Sequence, residues 1–327
     1  GSGSSVTLNS STASKTDSIT CTATATDSDG DTDSDTSSVT VGNSTPLISG
    51  VTVTPLSPVV SDTLTCAYSG FSDADSDADQ STYSWSDGSS TLGSSATLSG
   101  LFVAGDTVTC TVTPYDGTDT GTTASDSVTI QNSAPTIALS SPTSGDLIHE
   151  DESVTFTATV SDPDESTSSL SIEWVSDVDG TFSTQSADSS GAVSFTQAGL
   201  TLGAHNLTVT VTDSGGLYSS DTTSFTVNGL PSQPNVSIVP STAYVGDNLV
   251  ATASGSSDAE GSTITYAYAW YNGGVLASSQ TSATLPYSAT SAGDSWEVVV
   301  TPTDVDGGEG PTGSDSVTIS NTAPVIS

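Results

Sequence analysis

The sequence predicts an all-β chain: a tandem array of β-sandwich domains of about 90 residues each, elongated in series. Three observations carry this. One punctuation mark recurs, as Asn43-Ser44-Thr45-Pro46, Asn132-Ser133-Ala134-Pro135, Asn228-Gly229-Leu230-Pro231 and Asn321-Thr322-Ala323-Pro324, with the prolines 89, 96 and 93 residues apart. An alternating strand stands before each mark: Ser38–Val41, Ser127–Ile130, Ser224–Val227 and Ser316–Ile319. Finally, only 33% of the 327 residues are hydrophobic. That is thin for one large core, where about 45–50% apolar, counting Gly, is usual. Several small cores fit the figure.

Each period repeats the same internal order. An early strand reads Asp62–Tyr68, Ser153–Ala158 or Asp247–Ala253, and a central strand carries tryptophan as Tyr83-Ser84-Trp85, Ile172-Glu173-Trp174 or Tyr268-Ala269-Trp270. A late strand follows at Asp106–Val112, Asn206–Val211 or Trp296–Val300. Alternation of period two, with Thr and Val abundant and Gly/Asp/Ser turns every 8–12 residues or so, reads as antiparallel strands. No window carries a 3.6-residue period long enough for a helix. Residues 1–43 align with the second half of a repeat, because Ser4–Leu8 matches Ser94–Leu98 and Asp17–Cys21 matches Asp106–Cys110. The predicted segments are therefore 1–43 (a half-domain), 44–132, 133–228 and 229–321 (whole domains), and 322–327 (the first strand of another). The chain reads as a window of a longer protein.

Charge removes several classes of function. Lys15 is the only cation against 38 acidic residues, giving a net charge of −37. Electrostatic binding to nucleic acid or to an anionic membrane has no basis, and chemistry that needs lysine or arginine has almost none. No run of about 18 apolar residues exists for a membrane span.

Three cysteines is an odd count, with Cys66 on an early strand, Cys110 on the late strand of the same repeat, and Trp85 between them. That order resembles the immunoglobulin inter-sheet bridge packed on its tryptophan. Ser61–Cys66, Gly105–Pro114 and the Asn-Ser-Ala-Pro mark resemble the Ig-like repeats of very large bacterial and archaeal surface proteins. PKD-type and cadherin-like modules look similar. The tyrosine expected two residues before the second cysteine is missing, with Val108 and Leu207 in its place. The resemblance implies a Cys66–Cys110 disulfide and an oxidising, extracytoplasmic setting; buried reduced cysteines are the other reading. It also implies that Cys21 has its partner upstream. In the other domains Phe156/Val209 and Val250/Val298, or their neighbours, replace the pair.

Acidic clusters are the only constellations with chemistry. Asp27, Asp29, Asp31, Asp33 and Asp35 are expected between the last two strands of the half-domain, and Asp73, Asp75, Asp77 and Asp79 after the next early strand. Asp162 and Asp164 form a thinner version. In an Ig-type sandwich, Asp73–Asp79 and Asp116 should lie beside the Asn43–Pro46 linker. Two readings fit: Ca²⁺, which takes six to eight oxygen ligands, or a solvated acidic loop that keeps the chain soluble. Sequons at Asn9, Asn43, Asn206 and Asn235 offer glycosylation sites. His149, in a turn, and His205, opening a strand, read as surface residues, and Tyr266, Tyr268, Trp270 and Tyr271 as packing residues. The functional expectation is a non-enzymatic fibre, filament or stalk on a prokaryotic surface, whose partners are adjacent repeats or copies of itself. An adhesin that binds surface glycans and an accessory stalk of a secreted hydrolase are the alternatives.

Overall fold

A computed structural model describes residues 5–9 and 11–323. Ser4, Ser10 of the Asn9 sequon, and the strand expected at Pro324–Ser327 lie outside the described residues. Two compact units are present: residues 1–134 with 162–165, and residues 135–161 with 166–327.

In the first unit, β1 (Ser18–Thr26) and β2 (Thr32–Thr40) pair as an antiparallel ribbon, with no covering sheet among the described residues. Its positions are almost all exposed, Cys21 included. A two-sheet sandwich follows. β3 (Gly50–Thr54), β4 (Leu64–Ser69) and β7 (Thr97–Leu98) make one sheet; β5 (Thr82–Ser86), β6 (Thr91–Gly93), β8 (Thr107–Thr113) and β9 (Ala124–Thr129) make the other in the order 6-5-8-9. Alternate residues of β8 turn inward, so Val108, Cys110 and Val112 are fully buried and close on Leu64, Cys66 and Trp85. Cys66 and Cys110 are disulfide-bonded, with a Cα–Cα distance of 6.3 Å.

The second unit repeats the plan twice. β10 (Thr136–Ser141), β12 (Ser153–Ser161) and β15 (Ala192–Ala198) face a sheet ordered 11-17-16-13-14. Its strands are β11 (Asp146–His149), β13 (Ser171–Ser176), β14 (Gly180–Ser183), β16 (Gly203–Thr212) and β17 (Tyr218–Asn228). Likewise β18 (Asn235–Val239), β20 (Leu249–Ser254) and β23 (Thr284–Leu285) face a sheet ordered 19-25-24-21-22. That sheet comprises β19 (Ala243–Tyr244), β21 (Thr265–Asn272), β22 (Val275–Leu276), β24 (Ser295–Thr303) and β25 (Gly313–Ser320). β11 and β19 run parallel to the last strand of their sandwich, where the first strand crosses between sheets as in immunoglobulin-like domains. In the first sandwich the same crossing is reduced to an isolated parallel bridge between Val59 and Gln131.

One contact fixes the correspondence among the repeats. Val53, Leu139 and Ile238 each donate their backbone N–H to a carboxylate on the last strand, Asp126, Asp221 or Asp315, at 2.8, 2.9 and 2.8 Å. Opposite these residues in register stand Cys66, Ala158 and Ala251. The counterpart of the cysteine pair is therefore Ala158/Val209 and Ala251/Val298. Phe156 lies two residues earlier, and Val250 points outward, 39% exposed. A one-residue slip reverses the face of a strand, so composition alone could not choose between Val250 and Ala251.

Candidate functional site: carboxylate loops at the domain entrances

The loop between the early and central strands is built the same way in each repeat. Its first aspartate closes the turn: Asp73 Oδ1 accepts the N–H groups of Asp75 (2.8 Å) and Asp77 (3.1 Å). Asp162 Oδ1 accepts those of Asp164 (2.7 Å) and Glu165 (3.1 Å), and Asp258 Oδ1 that of Ser262 (2.9 Å). A short acceptor side chain that serves the backbone two to four residues on is the reason aspartate suits such turns. The other oxygen, Oδ2, of Asp73, Asp162 and Asp258 is buried without a hydrogen-bond partner among the described residues.

A second carboxylate of the same loop holds the linker. The residue after the linker asparagine donates its N–H to it: Ser44 to Asp75 Oδ2 (2.6 Å), Ser133 to Asp164 Oδ2, and Gly229 to Glu260 Oε1 (3.2 Å). The asparagine itself reaches the loop between the last two strands. Asn43 Nδ2 donates to Asp116 Oδ2 (2.8 Å) and Asp119 Oδ2 (2.9 Å), and Asn228 Nδ2 to Asp304 Oδ2 (2.8 Å). Asp116 and Asp304 are only 4% and 5% exposed. Burial pushes the Asp304 carboxyl up, but Asn228 and the N–H groups of Gly308 and Asp306 outweigh it and leave the acid below its ordinary value. At Asp116 burial likewise acts upward, and Asn43, Asp119, Thr118 and the charge of Lys15 bring it down.

The loop glycines finish the seat. A Cβ on Gly121 would lie 1.8 Å from the Pro46 carbonyl oxygen, and one on Gly310 1.8 Å from that of Pro231. Only glycine lets the linker lie so close. Neither glycine was legible in the sequence, where Asn43 read as punctuation and a sequon; its recurrence three residues before each linker proline was the available signal.

The expected site residues do not all gather. Asp73, Asp75 and Asp77 offer oxygens within 4.8 Å of one another. Asp79 is not in that group and accepts instead from the Tyr68 hydroxyl (2.8 Å) and from Ser81. Asp27 closes a hairpin turn by accepting from Asp29 and Asp31, both at 3.0 Å. Asp33 and Asp35 are not in that loop. They lie on β2, opposite Ala25 and Ala23, because an uncovered ribbon tolerates carboxylates on either face. Of the sequons, Asn43 and Asn206 have their side-chain nitrogens engaged, Asn206 with Asp177 Oδ2 at 2.8 Å. Asn9 and Asn235 are exposed.

His205 corrects the surface reading. It is fully buried, stacked on Phe225 with centroids 4.8 Å apart, its Nε2 2.6 Å from the Thr201 carbonyl and its Nδ1 2.8 Å from Ser176 Oγ. Four residues before Val209, it stands where Asp106 and Asp294 precede Cys110 and Val298. His149 ends β11 rather than lying in a turn. Trp270 is buried, with Tyr266 and Tyr268 packed against its core.

Residues 135–209 match the family model described as a bacterial Ig domain. A search of the curated proteins gives no significant match. Among solved structures, the fibronectin(III)-like modules of Clostridium thermocellum CbhA are 18% identical, covering 57% of this chain and 95% of theirs, with a TM-score of 0.31. The I67–I69 fragment of the titin I-band is 12% identical over 85% of this chain and 99% of its own, at 0.35. Sidekick-1 immunoglobulin domains 1–5 are 13% identical over 95% and 68%, at 0.27. The Ig-like assignment rests on strand order and on the family match. No helix among the described residues is long and apolar enough to cross a membrane.

Proposed function

We propose that the chain is a load-bearing piece of an extracellular fibre, filament or stalk on a prokaryotic surface, and that its partners are adjacent repeats and further copies of itself. The observation that supports this most is the recurrent linker seat. The N–H after the linker asparagine enters a carboxylate loop at residues 44, 133 and 229, and the asparagine side chain is held as well at Asn43 and Asn228. A linker with its donors engaged loses hinge freedom, which is what a spacer needs and an enzyme or a freely jointed string does not. The disulfide fits an oxidising compartment. The packing of Tyr266 and Tyr268 against a core weighs against the glycan-binding alternative. Electron microscopy of the native material tests the proposal: rods or regular filaments are expected, and isolated monomers with a distinct head would overturn it.

A second element of the proposal is Ca²⁺ at these loops. The unpartnered buried oxygens of Asp73, Asp162 and Asp258 favour it, since a hard cation is the natural partner for a carboxylate oxygen with no donor. Asp162 and Asp164 would contribute with it, and Asp258 with Glu260. The ion would supply charge neutralisation and loop rigidity. Calorimetry with millimolar CaCl₂ that gives neither heat nor a higher melting temperature would remove this element and leave the structural role standing.

A further inference from the structure

Lys15 is the one lysine or arginine in 327 residues, and the turn that carries it recurs. Ser14 N donates to Asp17 Oδ2 (2.7 Å) and Asp17 N to Ser14 O (3.0 Å). Before β8, Val103 and Asp106 make the same two bonds at 2.9 and 3.2 Å; before β24, Ser291 and Asp294 make them at 2.7 and 3.1 Å. The second residue of the turn is Ala104 or Ala292 in those repeats and Lys15 here. The third is Gly105 or Gly293, at φ +90°, and here Thr16, which takes φ +75° without being glycine. The turn backbone is thus common property, and the cation is a local departure.

The departure has a direction. Lys15 Nζ lies 2.7 Å from Asp77 Oδ2 and 3.4 Å from Thr118 Oγ1, and the carboxylates of Asp116 and Asp75 also bear on it. Ala13–Lys15 and Ala74–Ser76 line one cleft. Lys15 and Asp77 are 29% and 30% exposed, so solvent screens the pair less than a fully exposed one. Asp75 holds the linker N–H of Ser44, while the N–H groups of Asp75 and Asp77 both rest on Asp73. A cation on Asp77 therefore steadies the loop that grips the linker. At the linker after β17, Glu260 and Asp304 accept from the uncharged N–H groups of Gly229, Asn228, Asp306 and Gly308, and the sequence holds no second lysine or arginine to reach them.

We propose that Lys15 is a tethered counter-ion: it closes the Asp73–Asp79 loop against the preceding half-domain by neutralising Asp77, so this entrance keeps its hold without dissolved cations and gains less from Ca²⁺ at Asp73 than the entrance at Gly229 gains from its own. The second half rests on the calcium reading; the first does not. Hydrogen exchange by mass spectrometry on the whole chain separates them, comparing wild type with Lys15→Ala and Lys15→Arg in EDTA and in millimolar CaCl₂. Alanine is native to the other turns, so the fold is retained. In EDTA, Lys15→Ala should speed exchange of the residue 73–79 amides about fivefold, the scale of a well-placed ion pair, with Lys15→Arg near wild type and residues 258–262 unchanged. Equal rates for wild type and Lys15→Ala in EDTA would overturn the proposal. If CaCl₂ then slows residues 258–262 in every variant and residues 73–79 chiefly in Lys15→Ala, both halves stand. If CaCl₂ slows nothing while the EDTA difference persists, the tether stands and the calcium reading falls.

Discussion

The sandwiches at residues 44–132 and 133–228 share strand order, the carboxylate tie between first and last strands, and the loop that grips the linker. Their cores differ. The former joins its sheets covalently through Cys66 and Cys110, and Trp85 donates its indole N–H to the Ser95 carbonyl at 2.8 Å. The latter has Ala158 and Val209 at the cysteine positions and fills the space with rings. Phe156 stands within 6.1 Å, centroid to centroid, of Trp174, Phe182, Phe195 and Phe225. The Trp174 indole N–H has no acceptor among the described residues. One scaffold thus reaches stability by restricting the unfolded chain or by packing the folded one, and the second route leaves a polar group unsatisfied.

The largest break in that comparison is Phe156→Ala. A ring that touches four others leaves a cavity the neighbours cannot fill, and the loss should approach about 5 kcal/mol, the upper end for such substitutions. Exchange of the buried β16 amides measures it, with the β8 amides unchanged as the control. Next is reduction of the disulfide, which releases a loop of 44 residues and should remove about 4 kcal/mol. Here β8 amides should lose protection and β16 amides keep theirs. If reduction weakened both equally, the two cores would not be the independent solutions described above.

The shared architecture was legible in the sequence because it is written in repeats: Asn-x-x-Pro marks, alternating strands and a tryptophan per period are local patterns. The choice of Ala158 and Ala251 as the cysteine counterparts was not, since it depends on cross-strand register, which neither residue advertises. His205 was misread for a related reason. Its position is normally an aspartate that caps a turn from outside, and only the stacking on Phe225 and the Thr201 and Ser176 partners explain its burial. At the loops, the sequence placed Asp73–Asp79 and Asp116 near a linker, but it could not say that Asn43 is a donor or that Gly121 must lack a side chain. Those roles belong to residues far apart in the chain.

The indole nitrogens sharpen the comparison at lower cost. Trp85→Phe removes a satisfied donor together with part of a packed ring and leaves the Ser95 carbonyl without it, a loss of about 2 kcal/mol. Trp174→Phe removes a donor that was already unsatisfied, so relief of its burial penalty offsets part of the packing loss. Below about 1 kcal/mol is expected. Segment-resolved hydrogen exchange reads both. Equal losses would mean that Trp174 finds a partner in solution, and the cost assigned to the aromatic route would disappear.

Acid gives the smallest and most local break. The Asp116 carboxyl is held below its ordinary value although burial acts against this, because Asn43 and the N–H groups of Asp119 and Thr118 all donate to the ionised form. A carboxyl whose folded value is depressed contributes fully above its unfolded value of about 3.9 and loses that contribution as pH falls through the folded one. Acidification should therefore loosen the Asp116–Asp119 loop and its hold on Asn43 first, while the disulfide-bridged core beneath contains no group that titrates there. The amide resonances of Thr118 and Asp119 should shift in step with the Asn43 side-chain amide below about pH 4, with β8 amides still protected. If the loop and β8 responded together, linker grip and core would be one cooperative unit, and the division between a common loop device and a variable core would fail.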